Sequence, residues 1–410
     1  MDIDTIWPVV QTYVTGFRYL WRFPIYFIPR NKTFVHLHRD SFQYRVWAAV
    51  VPTNMVLFLL SSIGILLWAN FSKVNVPSIS TIMMALFGTF LSFFYTMTCF
   101  GAMRWMEGCA YTGNQMAKDH SDLIRVSSST PGIIVTRSNP LRLRLEIKFL
   151  QQVMVQISLT PFIIIPLLLF TGMDNPNILY KIILTATKTK ATPPLTILSW
   201  AGRCFNILFC AFEGSRMIGC VGLIVFMRIL GYISYLNELS NLLRGKTKSS
   251  KFTVYKGVLR FYDRIRLSLK HEREMISNLS AIVLFTMFTF LLTNNFICLK
   301  MHDVFPPHFF AFFPTSTLTA YGVLHLGVYA VLLLTNKSAG VLAEMREGVG
   351  SVRMRVRRKW LKRRVESVGK LEVPVGIGSF VLFHFSNGTR TTFYLLLLDN
   401  TINLLLSVHL

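Results

Sequence analysis

Seven separate stretches of this chain are apolar for long enough to cross a bilayer, which takes roughly 20 residues of helix. They run Val46–Ala69, Ile79–Met103, Phe149–Gly172, Leu198–Leu236, Leu279–Leu299, Ser316–Thr335 and Pro374–Leu410, the last one broken. Hydrocarbon offers no water to backbone N–H and C=O groups, so each stretch is expected to be helical. The chain is 52% hydrophobic and only 15% charged, outside the range of ordinary soluble domains. The expected architecture is an all-α membrane protein with seven transmembrane helices.

A formal charge of +24 on a soluble protein would point to nucleic acid. Here its placement says otherwise, because the basic residues fall on alternate connections. One side holds the cluster Arg18 to Arg45, a second from Arg104 to Lys148, a third from Arg244 to Arg273 and a fourth from Lys337 to Lys370. The other side holds only Lys73, Lys181, Lys188, Lys190, Arg203 and Lys300. Loop basicity orients membrane proteins, giving a cytoplasmic N-terminus and an extracellular C-terminus in a multi-pass protein of the plasma membrane. No nucleic-acid partner is implied. The run Arg353–Arg364 is expected to rest against anionic membrane lipid.

The pieces divide into a cytoplasmic segment 1–45, a six-helix bundle 46–335 with long basic loops, a basic loop or anchor helix 336–373, and a split last helix 374–410. Met1 to Arg30 mixes aromatics with Arg18 and Arg22, which suits an interfacial helix rather than an export signal. The cytoplasmic connections carry helical periodicity, clearest at Arg260–Met275, and the run from Leu198 to Asn241 has no stop signal. Helices are therefore expected to extend into the cytosol. Arg228, near the inner end of the fourth span, is expected to snorkel. Asn70-Phe71-Ser72 is the glycosylation sequon expected outside. Six cysteines show neither metal spacing nor an external pair.

Ionisable groups at membrane depth carry the functional expectations. The last segment is apolar over Phe380–Phe385, interrupted by Ser386-Asn387-Gly388-Thr389-Arg390, then apolar again with Asp399, Asn400 and Asn403. Steps of three and four place Thr392, Leu395, Leu396, Asp399, Asn403 and Leu406 on one helix stripe. Two readings stand. The stripe lines a pore, or its polar groups bond to neighbouring helices. Glu213 and Arg216 share a helix face in the fourth span. They form a structural ion pair or a polar contact in a ligand cavity.

No Asp-Arg-Tyr follows the third span and no Asn-Pro-x-x-Tyr ends the seventh, so the G-protein-coupled pattern is missing along with its orientation. Thr392-Phe393, then Tyr394 to Leu398, then Asp399-Asn400 matches in spacing a Thr-Tyr pair, five apolar residues and Gln-Phe. Tyr is replaced by Phe and Gln-Phe by Asp-Asn. With the layout of spans, this resembles the arthropod gustatory receptors of the insect odorant and gustatory chemoreceptor superfamily. The resemblance implies a ligand-gated, non-selective cation channel, assembled as a homo- or hetero-tetramer with related receptors. It also implies a small-molecule tastant or odorant, a ligand pocket in the outer half, and a pore lined by the last helix with Asp399 at the family's pore-facing Gln. Outer-half groups named as ligand contacts are Trp68, Phe162, Phe170, Tyr321 and His325, with Glu213 and Arg216. Pro161 and Pro166 are expected to weaken the third span. No metal, cofactor or catalytic constellation is expected, and the chain is read as no enzyme. The alternatives are a pore-less receptor signalling through cytosolic partners and a transporter.

Overall fold

Long apolar runs become long helices. In the computed structural model, residues 6–71, 78–128, 140–171, 174–187, 192–245, 251–305 and 307–407 are described. Helix α1 (Trp7–Gly16) leads into a hairpin of β1 (Ile25–Ile28) and β2 (Thr33–His36). The bundle follows as α2 (Phe42–Phe71), α3 (Ile79–Ser128), α4 (Pro140–Thr171), α5 (Asn175–Thr187), α6 (Pro193–Arg244), α7 (Lys251–His271), α8 (Arg273–Lys300), α9 (Pro307–Phe310) and α10 (Phe312–Val349). The chain ends in α11 (Arg355–Glu366), a hairpin of β3 (Pro374–Ile377) and β4 (Phe380–His384), and α12 (Asn387–Ser407). The sequon's Ser72 lies outside the described residues.

Six helices, α2, α3, α4 with α5, α6, α8 and α10, are long and apolar enough to cross a membrane. The seventh expected span is represented by α12, whose 21 residues suffice in length but include Arg390, Asp399, Asn400 and Asn403. Several helices far exceed the roughly 30 Å of hydrocarbon. The 50 residues of α3 and 52 of α6 correspond to about 75–78 Å at 1.5 Å per residue. Pro193 and Pro194 open α6, where a missing N–H costs nothing. Pro161 and Pro166 sit within α4, which stays helical through both.

At the centre of the bundle stands α6. Its most apolar stretch is 78% buried, against 11% for α8. Met217, Cys220, Leu236 and Leu239 are fully enclosed, in contact with α3, α4 and α10. The expected interfacial helix exists as α1, but its Val9, Val10 and Tyr13 are buried against α4 and α6 rather than lying free along a surface. The Tyr13 hydroxyl donates to the Arg216 carbonyl at 3.2 Å. The amphipathic stretch expected from Arg260 to Met275 falls on α7 and the first turn of α8, separated at Glu272.

The largest departure is the last segment. Its first half is a β-hairpin, not half of a split helix. Pro374 takes the first strand position, where its missing donor is tolerated. Gly378, at φ +60°, begins a two-residue turn that closes Ile377 against Phe380. Six apolar residues from Phe380 to Phe385 fit a strand as well as a helical turn, and the glycines decide. The amide of Gly378 donates to Asn278 Oδ1 at 2.6 Å, fastening the hairpin to α8. A Cβ at Gly376 would strike the Phe380 carbonyl and lie 2.8 Å from Ser277 Oγ. Gly376→Val is expected to cost about 1–3 kcal/mol by overpacking. Amide exchange across the hairpin should rise to loop rates in the variant and stay slow in wild type.

A second knot ties α7, α10 and the chain after α11. The Tyr262 hydroxyl shares a hydrogen bond with Ser338 Oγ at 2.8 Å and reaches the Gly369 carbonyl at 3.1 Å. The Leu371 amide donates to the same Ser338 oxygen at 2.6 Å. Burial raises the pKa of Tyr262, so the phenol stays neutral and keeps its proton to donate. On α11, Leu361 and Val365 face inward while Arg364 meets Asp263 at 2.8 Å.

Candidate functional site

The residues of α12 divide into two faces. Leu397 and Thr401 are buried, and Phe393, Tyr394, Leu404 and Leu405 are partly buried beside them. This face packs along α8. Phe393 meets Phe288 edge-on at 5.7 Å between ring centres. Asn295 donates to Thr401 Oγ1 at 3.4 Å, and Lys300 Nζ donates to the Leu405 carbonyl at 2.7 Å. A cation at the last carbonyls of α12 also suits the helix dipole. These three contacts set the register of the two helices.

All six stripe residues lie on the opposite face and are exposed: Thr392, Leu395, Leu396, Asp399, Asn403 and Leu406. By the register above, Asp399 stands beside the stretch of α8 between Phe288 and Asn295, well inside a membrane-length helix. No ion-pair partner for Asp399 occurs among the described residues. Asn400 next to it donates to its own helix, at the Leu396 carbonyl, 2.8 Å away. An unpaired carboxylate on an apolar helix is costly against lipid tails. Its stable settings are water or a polar neighbour.

Behind the start of this helix is a cavity of about 320 Å³. Thr392, Leu396 and Arg390 of α12 line it with Phe383 of β4, Leu284 of α8 and Leu324 of α10. Arg390 therefore stands at the junction of hairpin and helix, with nothing but apolar or hydroxyl groups around the cavity.

The seven residues expected to contact a ligand do not converge. Phe162 is 53% exposed and packs its ring on Tyr19 and Phe212, while Phe170 is 91% exposed at the end of α4. Trp68 is partly buried near the end of α2. Tyr321 accepts from Asn295 at 2.9 Å, joining α10 to α8. His325 is exposed, on the flank of α10 about a quarter turn from the buried row of Leu324 and Val328. Periodicity alone could not say which face of an apolar helix turns inward.

Glu213 and Arg216 are both 2% exposed and bonded at 2.6 Å. The amino-terminal segment encloses them. Trp21 Nε1 donates to Glu213 at 3.3 Å, Arg216 donates to the Trp21 carbonyl, and the guanidinium lies 5.1 Å over the ring of Phe23. Gly214 leaves room on α6 for Tyr95 of α3, since a Cβ there would come within 2.5 Å of that ring. The pair is thus spent on binding α6 to the start of the chain.

Two further buried pairs on α6 were not legible from spacing. Arg203 Nε meets Asp174 Oδ2 at 2.6 Å, and its Nη2 reaches the carbonyls of Leu168 and Leu169 at 3.1 and 2.9 Å. Arg228 does not snorkel. Its side chain is only 7% exposed and lies 3.0 Å from Glu272, whose own side chain is 4% exposed. Thr112 donates to Glu272 and accepts from Arg228, and Tyr232 donates to Glu272 at 3.4 Å. At the end of α6, Arg244 Nε meets Glu344 of α10 at 2.9 Å. The signal was there in outline: an arginine deep in an apolar run, in a chain with only 19 acids, demands an acid from elsewhere.

No group of three or more His, Cys, Asp or Glu positioned to hold a metal ion occurs among the described residues. No protein-family model matches the chain, and no curated protein matches it. Among solved structures, the insect olfactory receptor OR5 from Machilis hrabei aligns over 97% of this chain and 96% of its own, with 12% identity and a TM-score of 0.45. The same receptor in complex with eugenol aligns over 100% of both chains, with 11% identity and a TM-score of 0.49.

Proposed function

We propose that this membrane protein is a chemosensory receptor of gustatory type that opens a non-selective cation pore when a small molecule binds. Four copies assemble, identical or with related receptors, and the exposed stripe of α12 faces their common axis. The amino terminus is cytoplasmic and the last turn of α12 lies at the outer surface. The observation that carries this reading is Asp399, without an ion-pair partner among the described residues, on the exposed face of a membrane-length helix, with Asn403 one turn on. Brought to one axis, four such carboxylates meet water instead of lipid, concentrate cations and repel anions. Leu395 and Leu396, one turn below the acid, form the dry constriction that closes the path.

The basic ends of α3, α6 and α10 support this orientation by the positive-inside bias. They also supply the cytosolic body through which the copies hold together. The test is a whole-cell recording from cells expressing the full chain, challenged with a panel of small neutral odorants and tastants. Ligand-evoked current with a reversal potential insensitive to Na⁺/K⁺ exchange is expected. Ligand-dependent signalling with no current would establish the pore-less receptor instead, and particles without a four-fold axis would remove the pore.

A further inference from the structure

The corner where β4 turns into α12 is stiffly built. The Ser386 amide donates to Thr389 Oγ1 at 3.2 Å, and the Thr389 amide donates back to Ser386 Oγ at 3.3 Å. Such a reciprocal cap fixes the entry of a helix. Just before it, the Phe385 amide donates to the Val373 carbonyl at 3.2 Å. One side chain in this corner takes no part in holding it. Arg390 is partly buried, and among the described residues its guanidinium makes neither an ion pair nor a hydrogen bond. The deep arginines of α6, Arg203, Arg216 and Arg228, each have a carboxylate.

The nitrogens of Arg390 are open to solvent, unlike Nε and Nη1 of Arg228. One turn on, the Tyr394 hydroxyl is also open and has no hydrogen-bond partner among the described residues. It stands close enough to feel the Arg390 charge. Both residues line the cavity of about 320 Å³ behind the start of α12, and no carboxylate does. The rest of its wall is oily, built chiefly from Leu284 of α8, Leu324 and Val328 of α10, and Phe385. Its rim is exposed at Phe383, Thr392 and Leu396, so it can be entered from outside the subunit. The volume is within the roughly 300–1,000 Å³ usual for small-molecule sites. The amino-terminal end of a 21-residue helix adds partial positive charge of the same sign as Arg390.

We infer that this cavity binds an anionic amphiphile, a hydrocarbon chain ending in a carboxylate or phosphate, with Arg390 and Tyr394 holding the acid and the oily wall holding the chain. A guanidinium beside leucine and phenylalanine side chains is stable only where water or an anion meets it. For a molecule dissolved in the bilayer, the oily wall offers nothing that lipid tails lack, so the acid decides what stays. A small inorganic anion has no chain and would exchange its hydration for a wall that cannot bond it. Occupancy props the first turns of α12 away from α8 and α10, just below Leu395 and Leu396. That effect on the pore rests on the channel reading; the binding itself does not.

The test uses the full chain in phosphatidylcholine nanodiscs and two pairs of probes with a diazirine in the chain. Palmitic acid is compared with its methyl ester, and phosphatidic acid with phosphatidylcholine. After illumination, mass spectrometry reads the label on peptides carrying Leu284, Leu324 and Phe383 to Leu396. In at least one pair the acid is expected to label these peptides about tenfold more than its partner, the worth of hydrogen bonds to a charged group. A preference within the first pair identifies a free fatty acid as the source, and one within the second a membrane lipid. Arg390→Gln should abolish the preference and leave the neutral probes unchanged, Arg390→Lys should keep most of it, and Tyr394→Phe should remove part. Leu284→Trp, which fills the cavity from α8, should abolish labelling by every probe. Melting temperatures identify a variant that fails to fold, and Leu324→Trp, which fills it from α10, then serves. No preference in either pair would overturn the site. So would a preference that survives Arg390→Gln, or labelling unchanged in both filled variants. Acid labelling here without any evoked current would sink the channel reading alone, and current without acid labelling here would sink this site alone.

Discussion

Arg228→Met is expected to destabilise the protein by about 3–5 kcal/mol, because it strands Glu272 as an unpaired buried charge. Glu272 then keeps only the hydroxyls of Thr112 and Tyr232 as partners. The double variant Arg228→Met with Glu272→Leu should recover most of the loss, since a buried pair replaced by apolar groups of similar size is often neutral. Two nitrogens of Arg228, Nε and Nη1, are buried with no hydrogen-bond partner among the described residues, which makes the wild-type pair a poor source of net stability and the rescue more complete. Thermal unfolding of the purified protein in detergent, read as the monodisperse fraction after heating, checks both parts. A double variant as unstable as the single one would mean that Arg228 acts through packing rather than charge.

Asp399→Lys is expected to reverse charge selection. Each assembled pore would exchange four negative charges for four positive ones at its narrow part. The cation-to-anion permeability ratio should fall by roughly tenfold or more, measured as a shift of reversal potential on NaCl dilution. Asp399→Asn should lower single-channel conductance and leave the sign of selectivity alone. Because Asp399 is exposed and makes no ion pair among the described residues, neither change is expected to lower the melting temperature of the subunit. If instead Asp399 bonds a neighbouring helix in the assembly, both variants would weaken assembly and leave selectivity untouched.

What the sequence made legible was set by length. A run of apolar residues longer than a bilayer is thick has one cheap conformation, and α2, α3, α4, α6, α8 and α10 follow from it. The exposed stripe of α12 was also readable, because Thr392, Asp399 and Asn403 break an otherwise apolar surface at helical spacing. The hairpin at Pro374–His384 was not, since a six-residue apolar run satisfies helix and strand alike. Partners distant in the chain were hidden for another reason. Nothing local in Arg228 points to Glu272, and nothing in Asp174 points to Arg203. The inward face of α10 was equally unreadable, so nothing in the sequence told that His325 would be exposed. Helix α5 was missed because Lys181 and two threonines dilute its apolar face.

The guanidinium groups spaced along α6 have a consequence for how the protein is made. Asp174 leaves the ribosome before Arg203, and Glu213 is neighbour to Arg216, so those charges enter the translocon already matched. Arg228 is different: its acid, Glu272, is translated only after all of α7. The nascent polypeptide therefore holds an unmatched cation in the insertion channel until the α7–α8 junction emerges. A transcript terminated between those two codons would leave it unmatched for good, a mark that membrane quality control can read.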